Sequence, residues 1–423
     1  MGGVQRSTKF ARYLPEFGWQ PYVVTVKDIL YYAFDNTLLN EVNHLPINRT
    51  GSLDPARMAK ILSFINRKQK GSATKKHGNG TSAQFSFWAK LLRKVFYPDS
   101  KILWIPFAMN RIRNLSSKIQ FDAVYSTSPP VSAHLIAGKL KLPWIADFRD
   151  YWTTEDEVYA PTKWHKRKYH KIMSMISQNA EKIIAVSEPI AESIRSNAKE
   201  QDKEKVIVIP NGFDPSDFVD TVPIKFDKFT ISYLGNLNPQ RSPTLIIKVL
   251  DEFIQENPNY VGKFQFYFIG KHFGITLPRV TNSVDEIVYF EDYMPHRESL
   301  AYALGSNALL FILSKENARG IVTGKIFEYL GTGKPILAIV PKHTSAFELL
   351  KNKPDCYLAE PDNPGQIKEA LSFLLLHHLH KKQDRFSITK IPDNLIQYTR
   401  RNQARELANL LDACVGNHLL NNV

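Results

Sequence analysis

The sequence predicts an α/β protein wound twice, with a doubly wound parallel sheet in each of two Rossmann-like domains. Three observations carry that prediction. Runs such as "WIADF", "KIIAVS", "FTISYLG" and "NALLFIL" are continuously apolar, as strands covered on both faces by helices should be. They alternate with helical patterns, and the alternation restarts after residues 210–225. At 423 residues the chain exceeds one ordinary core at roughly 150 residues per domain, and its 43% apolar fraction supplies more than one. The expected division is a first domain over 1–210, a second over 225–394 and a closing helix over 395–423.

The elements follow in order. After "MGGVQ" a helix carries Phe10, Tyr13, Leu14 and Phe17 at helical spacing, Gly18 stops it, and "YVVTV" is a buried strand. Residues 49–83 read as a mobile insertion opening a basic stretch that runs to about 118. Phe85, Trp88, Leu91, Leu92, Val95 and Phe96 then fall on one helical face, with Lys90, Arg93 and Lys94 opposite. Next come "FDAVYST", a helix from about Val131, "WIADF", a helix from about Thr162 to Ala180, "KIIAVS" and "VIVIPNG". The second half reads "FTISYLG", helix, "FQFYFIG", "IVYFE", helix, "NALLFIL", helix, "PILAIV".

Composition narrows the setting. Cys356 and Cys414 are too few for a disulfide framework and no cleavable apolar leader precedes them, which points to a reducing, cytoplasmic location. The longest apolar runs fall far short of the roughly 20 residues that a spanning helix needs. The net charge of +14 is local: residues 56–118 hold fourteen Lys or Arg against one acid, Asp99. No nucleic-acid-binding module accompanies that charge. No cluster of His, Cys and acids has metal spacing, so no metal or other cofactor is expected.

The strongest local constellation is "GIVTGKIFEYLGTGKPILA", residues 320–338. Gly320, Thr323 and Gly324 form a turn opening a helix, Lys325 lies in its first turn, and Glu328 follows about one turn later. Free N–H groups at a helix N-terminus with an added cation suit a diphosphate. A carboxylate accepting two hydroxyls suits a ribose. The structural alternative is a loop-helix-strand unit with a capping Thr and solvated charges.

At this stretch the sequence resembles the family-four glycosyltransferases of the GT-B fold, in which an acid-x7-acid segment runs on into Gly-Lys-Pro. "IPNGFD" (Asn211, Gly212, Asp214) and "YLGNLNPQRSPTLII" (Gly235, Leu237, Arg241) match two further family segments in order. The family's first acid falls on Gly320 and the Arg of its "G-R-L" on Asn236. "YSTSPP" and "WIADFRDYW" are similar to a subfamily of bacterial surface-polysaccharide synthesis. The resemblance implies two domains facing a cleft and a nucleoside-diphosphate sugar as donor. It also implies a glycan or lipid-linked acceptor, and retention of configuration without a metal. Arg241 and Lys325 then stabilise the departing diphosphate, and Thr323, Gly324 and Glu328 bind the donor. Gly2 and Gly3 match the family's glycine loop, whose lead-in strand is missing from this chain; a start assigned too late is the expected reason, and a domain that lacks a central strand is the alternative.

Asp147, Arg149 and Asp150 are expected just past a strand end, either closing the loop by a salt bridge or meeting ligand. In the ligand reading Asp150 joins the catalytic groups, while Asp147 and Arg149 bind acceptor or sugar. His134 is a further sugar-hydroxyl candidate, whereas His165 and His170 in "KWHKRKYHK" read as a solvated helix face. The helix over 85–96 is expected to lie on an anionic membrane at the inner face of the plasma membrane; the alternatives are that it covers the cleft and holds a phosphate-bearing acceptor, or that it packs with a charged outer face. Two alternatives stand beside sugar transfer. One is a non-catalytic nucleotide- or sugar-binding subunit with the same fold. The other is a nicotinamide enzyme, disfavoured because G-G-V-Q is not G-x-G-x-x-G.

Overall fold

The computed structural model describes residues 2–27, 35–54, 96–153, 160–314, 323–380 and 391–421. The helix expected over 85–96 lies outside them save for Phe96, and so does Gly320. The chain divides into two compact units. Phe10–Phe34, Glu41–Ile209 and Arg405–Val423 form one; Met1–Lys9, Asp35–Asn40 and Pro210–Ala404 form the other.

Helix α1 (Gly2–Tyr13), whose residues up to Lys9 belong to the second unit and whose residues from Phe10 belong to the first, passes into a 3-10 turn, Leu14–Phe17. Gly18 ends that turn at φ 84°, where its N–H and that of Trp19 return to the carbonyls of Pro15 and Leu14. This left-handed stop favours glycine. Gly2 and Gly3 are therefore helical residues and not a loop, which corrects the sequence expectation. Strand β1 (Val23–Val26) pairs in parallel with β2 (Ile47–Thr50), Val23 facing Ile47. Arg49 and Thr50 had been expected to open the insertion; they belong to β2 instead. The strand tolerates a polar sequence because its side chains are satisfied. Trp104 Nε1 donates to Thr50 Oγ1 at 2.7 Å, and Arg111 Nε to Asn48 Oδ1 at 3.0 Å.

Helix α2 (Ile105–Ser116) leads to β3 (Val124–Ser128), α3 (Ser132–Ala137), β4 (Trp144–Phe148), α4 (Lys163–Asn179), β5 (Lys182–Ala185) and β6 (Val206–Val208). These four strands form one parallel sheet in sequence order, with β4 buried along its whole length. The β1–β2 pair is a separate sheet. Helix α4 is anchored by His165, Tyr169, Met173 and Ile176, spaced to put one stripe inward. His165 is thus buried, contrary to the solvated reading, and its Nδ1 lies 2.7 Å from Oγ1 of the capping Thr162; His170 is exposed.

Among its described residues the second unit has six parallel strands: β7 (Phe229–Leu234), β8 (Phe264–Ile269), β9 (Val288–Glu291), β10 (Ala308–Ile312), β11 (Ile336–Ile339) and β12 (Cys356–Ala359). Helix α5 (Thr244–Glu256) follows β7, α6 (His296–Gly305) precedes β10, and α7 (Gly324–Thr332) precedes β11. Helix α8 (Pro364–His378) follows β12, and α9 (Arg400–Asn421) begins in this unit and belongs to the first unit from Arg405 onward. The spatial order is β12-β11-β10-β7-β8-β9, so the chain runs outward from β7, returns to β10 and runs outward the other way. One face packs α5 and α8 through Leu250, Phe253, Leu371 and Leu374; the other packs α6 and α7 through Leu300, Leu304, Ile326 and Phe327. The reversal between β7 and β10 is where open α/β sheets bind ligands, outside the carboxyl ends of the strands.

Candidate functional site

The carboxyl end of β7 and the amino end of α7 meet at this reversal. Thr323 holds the N-cap position in extended backbone, but its side chain caps no amide of the helix. Its Oγ1 is buried with no hydrogen-bond partner among the described residues, as are Ser314 Oγ and Asn238 Oδ1. The first turn of α7 consequently keeps N–H groups that a side-chain cap would have claimed. Ile326, Phe327, Tyr329 and Leu330 bury the helix, and the Tyr329 hydroxyl accepts the Leu234 N–H at 2.9 Å, pinning α7 to β7. Gly333 closes the helix at φ 64°.

That pinning sets Lys325 against the end of β7. Its Nζ lies 5.4 Å from the centre of the Tyr233 ring. A Cβ on Gly235 would fall 1.3 Å from the same nitrogen, and Gly235 also has φ 133°. Only glycine leaves room here for the ammonium. Burial, with Arg241 nearby, lowers the Lys325 pKa to about 7, and Glu328 opposes the shift. Arg241 ends the 3-10 turn Pro239–Arg241, whose backbone closes from Arg241 N to Asn238 O at 2.9 Å. A second cation thus stands close enough to act on Lys325 beside the uncapped start of α7.

Glu328 lies one turn further along α7, and His296 Nε2 stands 2.9 Å from its Oε1. Burial works against the carboxylate charge, yet its pKa is lowered because His296, Arg400 and Lys325 outweigh it. The His296 pKa is raised: burial opposes the charge, and Glu328 and then Asp217 overcome it. Arg400 is buried. Burial and Arg6 both act against its charge, while Glu328, Asp214 and Asp217 support it. Lys9 bridges Asp214 at 2.9 Å and Asp217 at 2.5 Å, with Lys9 and Asp214 almost fully buried.

The candidates in the other unit fall differently. Asp147 lies inside β4, completely buried, and its Oδ2 accepts from Tyr125 Oη at 2.6 Å and Thr127 Oγ1 at 3.0 Å. It is not past the strand end, as expected, and two hydroxyls from β3 already satisfy it. Arg149 closes the neighbouring loop, donating to the carbonyls of Ser128 at 3.2 Å and Pro129 at 2.6 Å. Asp150 is exposed. His134 is fully buried, its Nδ1 2.7 Å from Ser126 Oγ, and burial lowers its pKa to about 3. The sugar-hydroxyl expectation for His134 is corrected accordingly: the ring belongs to the core, against Phe148 and Trp144.

His296 and Arg400 were not legible as site residues. "PHRESL" and "YTRRN" carry no motif, and both side chains reach Glu328 only through the fold.

No curated protein matches the chain. Residues 75–217 match the family described as Glycosyltransferase Family 4. Among solved structures, a sucrose-phosphate synthase from Thermosynechococcus elongatus is similar at TM-score 0.51 and 12% identity, over 97% of this chain and 90% of that one. The N-terminal domain of a Candida albicans trehalose-6-phosphate phosphatase is similar at TM-score 0.54 and 12% identity, over 93% and 96%. An E. coli structure described as trehalose-6-phosphate bound with UDP-2-fluoro glucose is similar at TM-score 0.50 and 10% identity, over 95% and 98%. At such identities the likeness is one of fold. The chain has the GT-B fold of two Rossmann-like domains, and its residues 75–217 match Glycosyltransferase Family 4.

Proposed function

We propose that this protein is a retaining glycosyltransferase that moves a sugar from a nucleoside-diphosphate donor to a glycan or lipid-linked acceptor in bacterial surface-polysaccharide synthesis. One observation carries the reading. Lys325, Arg241 and the uncapped start of α7 converge at the β7–β10 reversal, one helical turn from Glu328. The family match over 75–217 and the neighbour holding UDP-2-fluoro glucose support it.

The chemistry follows from that charge arrangement. Departure of a nucleoside diphosphate leaves negative charge on its phosphate oxygens. Lys325, Arg241 and the amides of Thr323 and Gly324 stabilise that charge in place, without reorganising at the moment of reaction. The acceptor hydroxyl attacks the anomeric carbon from the face the diphosphate leaves, and a donor phosphate oxygen takes its proton. The glycosidic bond forms as the carbon–phosphate-oxygen bond breaks, with configuration retained. This route asks for no metal. Glu328 holds the ribose. On the acceptor side, Asp150 and Arg149 are the exposed or half-exposed polar groups of the β4 loop. Contact with an anionic membrane is assigned to residues 85–96.

Thermal unfolding with UDP, GDP and NAD tests the reading. A ligand at 100 times its dissociation constant adds about 2.7 kcal/mol of stability. We expect one nucleoside diphosphate to raise Tm and NAD to leave it unchanged. Lys325→Ala should keep the unliganded Tm and weaken nucleotide binding at least tenfold. An undiminished shift in that variant contradicts the diphosphate assignment. Binding without sugar transfer from any nucleotide sugar favours the non-catalytic reading, for which Asn236 in place of the family's Arg is the supporting residue.

A further inference from the structure

We infer that His296 is a positioning residue for the Glu328 carboxylate, fixing the orientation in which it grips the two hydroxyls of a ribose. This rests on the donor-site reading above.

The argument starts from what a ribose asks of a carboxylate. Two neighbouring hydroxyls each donate a hydrogen bond, so the group must be ionised and held with its free lone pairs aimed outward. Glu328 is on a buried stretch of α7 with its side chain only 16% exposed, where a lone carboxylate would tend to take up a proton. His296 Nε2 at 2.9 Å supplies the missing donor, occupies one lone pair of Oε1 and leaves the others of the carboxylate unclaimed by that contact.

The histidine is itself held at the backbone. It is the first residue of α6, and the preceding Pro295 has no side-chain oxygen to cap the helix. Asp35, distant in sequence but in the same unit, does so instead: its Oδ2 accepts the His296 N–H at 3.0 Å. Asp35 Oδ1 is fixed in turn by the N–H of Thr37 at 3.0 Å and its hydroxyl at 2.5 Å. Ser299 Oγ donates to the His296 carbonyl at 2.8 Å. Both backbone groups of His296 are therefore committed, and the ring is delivered to Glu328 from a fixed point. Fixing a binding group through a second residue limits the rotamers it must lose when ligand arrives.

The experiment measures dissociation constants of UDP, GDP and their 2′-deoxy forms for the wild-type chain and for His296→Leu, His296→Gln and Glu328→Gln. The readout is the ribose preference, the ratio of deoxy to ribo dissociation constants, because general damage weakens both ligands alike. Expected is a wild-type preference of about tenfold that collapses below threefold in Glu328→Gln and in His296→Leu. Glutamine, which keeps an N–H donor, should restore most of it. If His296→Leu keeps the full preference while Glu328→Gln loses it, the positioning role is overturned and the ribose reading stands. If Glu328→Gln also keeps it, the ribose reading falls. Failure of the wild-type chain to bind UDP or GDP overturns both.

Discussion

Lys325 is a cation whose charge burial and Arg241 disfavour more than Glu328 supports it. It is buried, beside Arg241, and among the described residues its side chain contacts the Tyr233 ring and no carboxylate. With a pKa near 7 it is about half neutral at neutral pH, and a bound phosphate would hold the proton on it. The sign follows: the free protein must take up a proton to bind an anion above pH 7, and need not below. Affinity for the nucleoside diphosphate should be flat below pH 7 and fall toward tenfold per pH unit above it. Lys325→Arg should abolish the decline, since a guanidinium stays charged throughout. Titration calorimetry from pH 6.5 to 9 checks this, and identical profiles for the two proteins would sink it. Lys325 and Glu328 were legible because they stand three positions apart on one helix. Asp147 was misjudged because "ADFRD" does not tell where the strand ends; Tyr125 and Thr127, which make its burial affordable, come from the neighbouring strand.

At the scale of elements, the parallel strands were readable because burial on both faces leaves them no polar alternation. "INRT" and "CYLA" escaped notice for the opposite reason. Strand β2 is polar, satisfied by Trp104 and Arg111, while β12 is a short half-buried run. The two sheets of the first unit differ in protection. Strand β4 is paired on both sides and buried throughout, whereas among the described residues β1 and β2 pair with each other alone. Two-stranded ladders are the less stable arrangement. Hydrogen exchange should therefore be at least tenfold faster in peptides over 23–26 and 47–50 than over 144–148. Equal protection would show that β1 and β2 are stabilised by more than their shared ladder.

At the scale of the molecule, the chain divides into two units with separate cores. The family match covers 75–217, almost all in the unit that lacks Lys325, Arg241 and Glu328. The proposed donor site therefore stands on geometry: the β7–β10 reversal, the uncapped α7, and the glycine that admits Lys325. The charge excess of residues 56–118 is a property of the other unit, where Lys101 pairs with Asp54 and Arg111 is spent on Asn48. Hydrogen exchange with and without saturating nucleoside diphosphate is the most direct test of the central claim. The account predicts new protection over 232–241 and 323–332, at the end of β7 and the start of α7. Protection confined to residues 124–150, or none at all, would contradict it.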